Sequence, residues 1–180
     1  MTVTTQKGDS GRTFLMFDRP VRKDALRVDA YGTIDELVSF LGLAKSLVRS
    51  KAVRALLHEC QRDLFIVASE LATEVRDLKR LEFRVGARRV QWIEEQIRRR
   101  EKRLQLKECC FIIPGGSTAS ALLDVCRAVA RRAERLAWAL RRRQQVPNQH
   151  VLVYLNRLSD LLWLLARGEE KAPARFVARR

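Results

Sequence analysis

Only 8 Gly and 4 Pro punctuate this chain of 180 residues, and that scarcity constrains its fold more than any other feature. Tight turns draw on residues that tolerate positive φ or carry a fixed φ. A chain with so few of them is expected to run in long uninterrupted elements. From Val28 onward the apolar residues recur near the 3.6-residue period of a helix. Ile34, Leu37, Leu41 and Leu43–Ala44 mark a first helix, with Asp29 or Thr33 as its cap. Leu56, Leu57, Cys60, Leu64, Val67, Ala68 and Leu71 mark a second over Val53–Thr73. Residues 74–86 are charged, less periodic and end in Gly86. Val90, Ile93 and Ile97 mark a short third helix, with Arg98–Arg100 near its end, where cations favour the helix dipole.

The apolar triplet Phe111-Ile112-Ile113 could pass for a strand, but Pro114-Gly115-Gly116 turns it into a loop. Ser117 and Thr118 are good N-caps for a long helix reaching about Gln145. Leu122, Val125, Val129, Ala133, Leu136 and Leu140 would form its apolar face, and Pro147 ends it. A last helix, about Asn148 to Arg167, is apolar almost all round and stops at Gly168. The expected fold class is therefore all-α, a bundle of five helices without a sheet. Residues 1–25 form an amino-terminal loop, residues 26–168 the bundle and residues 169–180 a carboxyl tail.

Hydrophobic residues are 47% of the chain, enough for a sizeable core in one domain. No run of about 18 apolar residues marks a membrane span. Residues 1–12 are polar and lack a signal core, so a cytoplasmic location is expected. Cys60, Cys109, Cys110 and Cys126 show no CxxC spacing and read as free thiols rather than a zinc site. His58 and His150 sit beside no Ser, Cys or carboxylate arrangement that suggests a triad and read as surface or packing residues. Trp92, Trp138 and Trp163 fall at helical positions and read as core. The net charge of +15 fits either a nucleic-acid binder or a cleft that attracts a small polyanion, and charge alone does not choose.

Four groups of residues carry potential chemistry. Thr5 to Thr13, Thr-Gln-Lys-Gly-Asp-Ser-Gly-Arg-Thr, offers glycines that let backbone N–H groups approach an anion, but it lacks Walker A spacing. Composition alone also fits a mobile terminus. Arg127, Arg131 and Arg135 lie four residues apart on one helix face, with Glu134 three beyond Arg131. Guanidinium forks match phosphate oxygens, although a solvated charged face is the simpler reading. Asn156, Ser159, Asp160 and Trp163 form a polar stripe on the otherwise apolar last helix and must find partners. Asp35-Glu36 on the first helix gains interest only if Asp35 faces Arg127.

Together these pieces resemble the PduO-type ATP:cob(I)alamin adenosyltransferases. The family's amino-terminal signature, Thr-Lys-x-Gly-Asp-x-Gly, is similar to Thr5 through Gly11, and its later lysine corresponds to Lys23. Tyr31 to Leu37 resembles its Tyr-Gly-x-x-Asp-Glu-Leu segment, and Gln61 to Phe65 its Gln-x-Asp-Leu-Phe segment. Phe111 to Gly116 resembles its phenylalanine loop, Arg127 to Arg135 its Arg-x-x-x-Arg-Arg-Ala-Glu-Arg signature, and Tyr154 to Asp160 its closing motif. The likeness runs from about Thr5 to Arg167 and is loose over residues 74–110. Gln6 replaces the family's lysine, with Lys7 displaced by one, Val38 stands where asparagine is usual, and Thr4 where an aromatic is common.

The resemblance implies a five-helix bundle assembled as a homotrimer, with sites between subunits. It implies transfer of the 5′-deoxyadenosyl group of ATP to the Co(I) of a reduced corrinoid, cobalamin, with triphosphate leaving. It implies that Thr5, Gln6, Lys7, Gly8, Asp9, Thr13 and Lys23 cradle the triphosphate, together with Arg131, Arg132 and Arg135. Glu134 would order the arginines or sit near Mg2+ carried by ATP, with no metal site of the protein's own, and Asn156 would bind adenosine. Phe111 would press on the lower face of the corrin and exclude an axial ligand, while Asp35 and Arg127 would pair between subunits near the corrin, these three being the implied catalytic residues. A flavoprotein reductant and an adenosylcobalamin-dependent enzyme are the implied protein partners, without a membrane. The alternatives are a basic helical nucleic-acid-binding protein, for which no motif is present, and a non-catalytic corrinoid-binding relative.

Overall fold

The computed structural model describes Thr4, Gln6, residues 8–104 and residues 112–170. Thr5, Lys7, Cys109, Cys110, Phe111 and residues 171–180 lie outside the described residues, so the expectations placed on them do too. Five long helices form: α1 (Leu26–Leu47), α2 (Lys51–Leu71), α3 (Ala87–Leu104), α4 (Thr118–Arg142) and α5 (Gln149–Gly168). α4 packs against both α1 and α5, α2 flanks α1, and α3 flanks α5. α5 is therefore covered on several sides, and Val151, Leu155, Leu158, Leu162 and Ala166 are fully buried. That position explains why its sequence is apolar almost all round.

The helix starts follow local chemistry where a polar side chain is available. The Ser50 hydroxyl accepts a hydrogen bond from the Val53 N–H and opens α2. Ser117 and Ser120 accept from each other's backbone N–H and form a reciprocal capping box at α4. Asn148 Oδ1 accepts from the His150 N–H and opens α5. α1 departs from expectation. It begins at Leu26 with no side-chain cap, and Asp29 and Thr33 lie inside it. Thr33 Oγ1 instead donates to the Asp29 carbonyl at 2.8 Å, a bond a threonine makes within a helix.

The buried face of α4 is also rotated from the expected one. Leu123, Cys126, Ala130, Ala133, Ala137 and Leu140 are fully buried, whereas Val125 is exposed and Leu122 and Leu136 are half-buried. Alanine weighs little in an apolar count, yet its small side chain lets α1 and α5 approach closely. The bulkier leucines are left to flank the seam. Trp138 is exposed rather than core, while Trp92 and Trp163 pack against the core partly buried. His58 and His150 are both exposed.

The expectation of no sheet is corrected by a two-stranded antiparallel ribbon. β1 (Arg12–Leu15) pairs with β2 (Arg19–Arg22), Arg12 opposite Arg22 and Leu15 opposite Arg19. The connecting turn puts Phe17 and Asp18 at φ of 61° and 58°. Non-glycine residues rarely adopt that region, so no Asn-Gly or Asp-Gly signal announced the hairpin. Tertiary contacts hold it. The Met16 N–H donates to the Ala72 carbonyl at the end of α2. Arg19 grips Asp77 with two hydrogen bonds of 2.7 and 3.1 Å, Arg80 adds a third, and the Arg80 guanidinium lies over the Phe17 ring.

Hydrogen bonding from Arg19, joined by Arg80, holds the Asp77 carboxyl down at about 2 against an ordinary 3.8. A carboxylate depressed in the folded state stabilises above its unfolded value and loses that contribution as pH falls through its folded value. The ribbon's anchorage is thus complete above pH 4 and is lost as pH drops from 3.8 toward about 2. In Asp77→Asn the ribbon amides are expected to exchange with deuterium faster than in the wild type at pH 7. Unchanged exchange in that variant would refute this anchor.

Candidate active site

One polar stripe runs along α4 from its cap to Glu134. Ser117, Ser120, Asp124, Arg127, Arg131 and Glu134 follow one another at alternating steps of three and four residues, which keeps them on one face. The capping box forms its upper end. At its lower end Asn156 Nδ2 of α5 donates to Glu134 Oε1 at 3.1 Å. Asn156 Oδ1 in turn accepts from Arg157 Nη1 at 2.8 Å, and Arg157 Nε donates to Glu94 Oε1 of α3 at 3.1 Å. Arg131 Nη1 stands 4.0 Å from Glu134 Oε2 with its side chain 48% exposed. Its fork is therefore steered by Glu134 but still free to take an anion.

Asp160 joins this lower cluster. Partial burial is the main cause that raises its carboxyl above the usual value, with Glu134 and Glu101 adding to the rise while Arg157 and Arg131 oppose it. It shares a cavity of about 400 Å³ with Glu101, Trp163 and Leu164. Arg135 is exposed on the same side of α4. Arg132 points elsewhere and forms an ion pair with Glu36 of α1. Arg127 finds its in-chain carboxylate in Asp124, Nε to Oδ1 3.8 Å. Asp35 is exposed on α1, and among the described residues no ion pair joins it to Arg127.

The amino-terminal residues gather separately on the ribbon. The Asp9 N–H donates to the Gln6 carbonyl, Gly11 to Gly8, and Lys23 to Gly11, giving a nest of tight turns. Gln6 and Gly11 take positive φ of 56° and 76°. A Cβ on Gly8 would lie 2.9 Å from Lys23 Nζ, so this glycine is what lets the ammonium close over the loop. Thr13 faces Val21 across the ribbon. Beside it a cleft of about 830 Å³ is lined by Leu15, Val21, Arg27, Glu74 and Arg143. No hydrogen bond or ion pair among the described residues joins this loop to the α4 stripe. One chain therefore presents two half-sites: turns with Lys23 on the ribbon, and Arg131, Glu134 and Asn156 on the bundle.

The structure brings together Gln6, Gly8 and Asp9 with Lys23, and Arg131 and Glu134 with Asn156. It does not bring Arg132 or Asp35 into either group. Arg157 belongs to the second group and Asp124 adjoins Arg127 higher on the same face, and both went unassigned in the sequence. Asp124 carried a signal, since it lies three residues before Arg127 on the same face, but an acid there also reads as solvated surface. Among the described residues no group of three or more His, Cys, Asp or Glu is placed to hold a metal ion. Cys60 and Cys126 are buried free thiols pushed by desolvation to about 12, which leaves them unreactive. Among the described residues no helix is long and apolar enough to cross a membrane.

Comparison with known proteins bears on this geometry. A family model described as cobalamin adenosyltransferase matches residues 3–169. A corrinoid adenosyltransferase of Citrobacter freundii is 41% identical over 172 residues, covering 95% of this chain and 96% of its own. One of Bacillus subtilis is 40% identical over 174 residues, covering 93% and 86%. Among solved structures, a variant PduO-type ATP:corrinoid adenosyltransferase from Lactobacillus reuteri complexed with ATP superposes with a TM-score of 0.87 at 32% identity over 99% of this chain and 100% of that one. A second variant of that enzyme, complexed with cobalamin and ATP, gives 0.85 at 33% identity with the same coverage. With the family model spanning the bundle and both half-sites, the chain belongs to the cobalamin adenosyltransferase family.

Proposed function

We propose that this chain transfers the 5′-deoxyadenosyl group of ATP to the Co(I) centre of a reduced corrinoid, giving adenosylcobalamin and triphosphate. The observation that carries this reading is the stripe from Asp124 to Glu134, joined to Asn156, on a chain matched from residue 3 to residue 169 by the family model. In the reaction the Co(I) electron pair attacks C5′ of ATP. The C5′–O bond breaks, and its pair leaves on the triphosphate. No proton moves, so the protein needs no nucleophile and no base. What it must supply is positive charge and donors where negative charge develops.

Arg131 and Arg135 supply that charge from α4, and Lys23 with the turns at Gly8 and Gly11 supplies it from the ribbon. Asn156 is oriented by Glu134 and Arg157 and would hold the adenosine portion. Mg2+ carried on the triphosphate would add charge there, and Glu134 is the carboxylate placed to order it; the residues present fit a shared ion better than a resident one. Two half-sites on one chain support an assembly in which the ribbon of one subunit completes the α4 stripe of another, as a homotrimer. Asp35 and Arg127 then pair across that interface beside the corrin. Phe111 would keep an axial ligand off the corrin. A flavoprotein would supply the electron, an adenosylcobalamin-dependent enzyme would consume the product, and both would meet this chain in the cytoplasm.

The test is direct. Purified protein with Mg-ATP and anaerobically reduced cob(I)alamin is expected to give a light-sensitive product with the absorbance of adenosylcobalamin. Light scattering is expected to give about three times the 20.8 kDa chain mass. Absence of the alkyl product overturns the activity, and a monomer overturns the shared site.

A further inference from the structure

Above Arg127 the stripe contains a buried ion cluster that no motif announced. Arg167, at the end of α5, has a side chain 2% exposed. Its Nη2 donates to Asp124 Oδ2 at 2.5 Å and to Glu170 Oε1 at 3.1 Å. The Trp163 ring, one turn earlier on α5, lies 5.6 Å from the Arg167 guanidinium. Asp124 and Glu170 are covered as fully as Arg167, with side chains 6% and 1% exposed. The remaining Asp124 oxygen, Oδ1, faces Arg127 Nε at 3.8 Å. Two guanidinium groups and two carboxylates thus form a neutral set linking α4 to the chain just beyond α5.

The far end of this set touches the entry to α4. A Cβ on Gly116 would lie 2.8 Å from Glu170 Cγ. Gly115 has a φ of 117°, which only glycine adopts easily, but Gly116 has no such backbone demand. What counts at Gly116 is space: the Glu170 side chain lies against the backbone there and would have to shift for a Cβ. Immediately after it, Ser117 and Ser120 close the capping box.

We infer that Asp124 is a positioning residue for Arg127, held in place by Arg167 and Glu170. This rests on the transferase reading of the site. Because Arg167 engages Oδ2, Asp124 is fixed in one rotamer and turns only Oδ1 toward Arg127. At 3.8 Å the contact is too long for a hydrogen bond and steers the Arg127 guanidinium from its Nε side, leaving both outer nitrogens pointing away from Asp124. A carboxylate free to rotate would either clamp Arg127 or release it. Small misplacements of charged groups at a reacting centre are costly, up to about a hundredfold in rate.

The test is a double-mutant cycle on the full-length protein with Asp124→Asn and Arg127→Ala. Asp124→Asn is expected to lower kcat/KM for the corrinoid at least about tenfold, while the ATP KM stays within about twofold of wild type. In the Arg127→Ala background the same change is expected to add nothing, because the residue it acts through is gone. Additive losses would overturn the inference. Should Asp124→Asn fail to give a cooperative thermal transition, Arg167→Lys takes its place. That variant keeps the buried charge, and the same split between corrinoid and ATP is expected, whereas wild-type kinetics would overturn the inference. Wild-type protein that makes no alkyl product would sink the transferase reading alone. The coupling is then read from thermal unfolding of the same four proteins, where additive shifts in Tm refute it and non-additive shifts uphold it.

Discussion

Arg27→Met is expected to lower the thermal midpoint by about 10 °C or more. Arg27 is 7% exposed and sits near the start of α1. Its Nη1 donates to the carbonyls of Leu71 at 2.6 Å and Thr73 at 2.9 Å, and its Nη2 to the carbonyl of Gln145 at 3.0 Å. Leu71 ends α2, where helix termini leave acceptors unpaired, while Thr73 lies two residues past that helix and Gln145 three residues past α4. One guanidinium therefore ties the chain at both helix ends to α1. Burial lowers its pKa, with Glu74 opposing that. The negative ends of two helix dipoles help keep the charge tolerable.

Methionine fills similar space but donates nothing. The Leu71 and Thr73 carbonyls are then left buried without a partner, each costing about 1–3 kcal/mol, and the half-buried Gln145 carbonyl loses its donor as well. For a chain of this size about 1 kcal/mol moves the midpoint by roughly 2–4 °C. Arg27→Lys is expected to fall between, because a point ammonium reaches fewer of the acceptors in the required directions. Circular dichroism melts compare the three proteins directly. A methionine variant melting within about 2 °C of wild type would show that water replaces the guanidinium and that this reading of the junction is wrong.

The second large effect is on activity. Arg131→Ala is expected to lower kcat/KM for ATP by about 10²–10³, the usual loss when a donor to developing charge is removed. Arg132→Ala, its neighbour, is expected to cost less than about tenfold. The two residues share a signature in the sequence but not a location. Arg131 lies in the Glu134–Asn156 cluster with an open fork, while Arg132 pairs with Glu36 of α1. Steady-state kinetics at saturating corrinoid separate them. Equal losses, or a larger loss at Arg132, would place the phosphates on the other face of α4.

The bundle was largely legible because its helices are long and their apolar residues periodic. Ser50, Ser117 and Asn148 cap three of the helices through their own side chains. α1 was misread at its start because no side-chain oxygen caps it: it opens after Ala25, whose carbonyl accepts from the Val28 and Asp29 N–H groups. The α4 face was misread because alanines make the seam. The ribbon was invisible because its turn uses Phe17 and Asp18 at positive φ, held by Asp77 and Arg80 from sixty residues away in sequence.

The site divides in the same way. The residues that need only a helical period to align, Arg127, Arg131, Glu134 and Arg135, were readable as one face. So was the glycine loop with Lys23, through its likeness to a family signature. By itself, then, the sequence determined the five helices, the arginine face and the kinship with adenosyltransferases, because periodicity and motif spacing are local properties. Only the tertiary structure decided which charges answer one another. Arg132 goes to Glu36, Asn156 to Glu134, and Arg167 to Asp124 and Glu170. Ion pairs form between elements distant in the chain, and each arginine among so many has several acids it could meet. Desolvation and geometry choose among them only once the helices have packed.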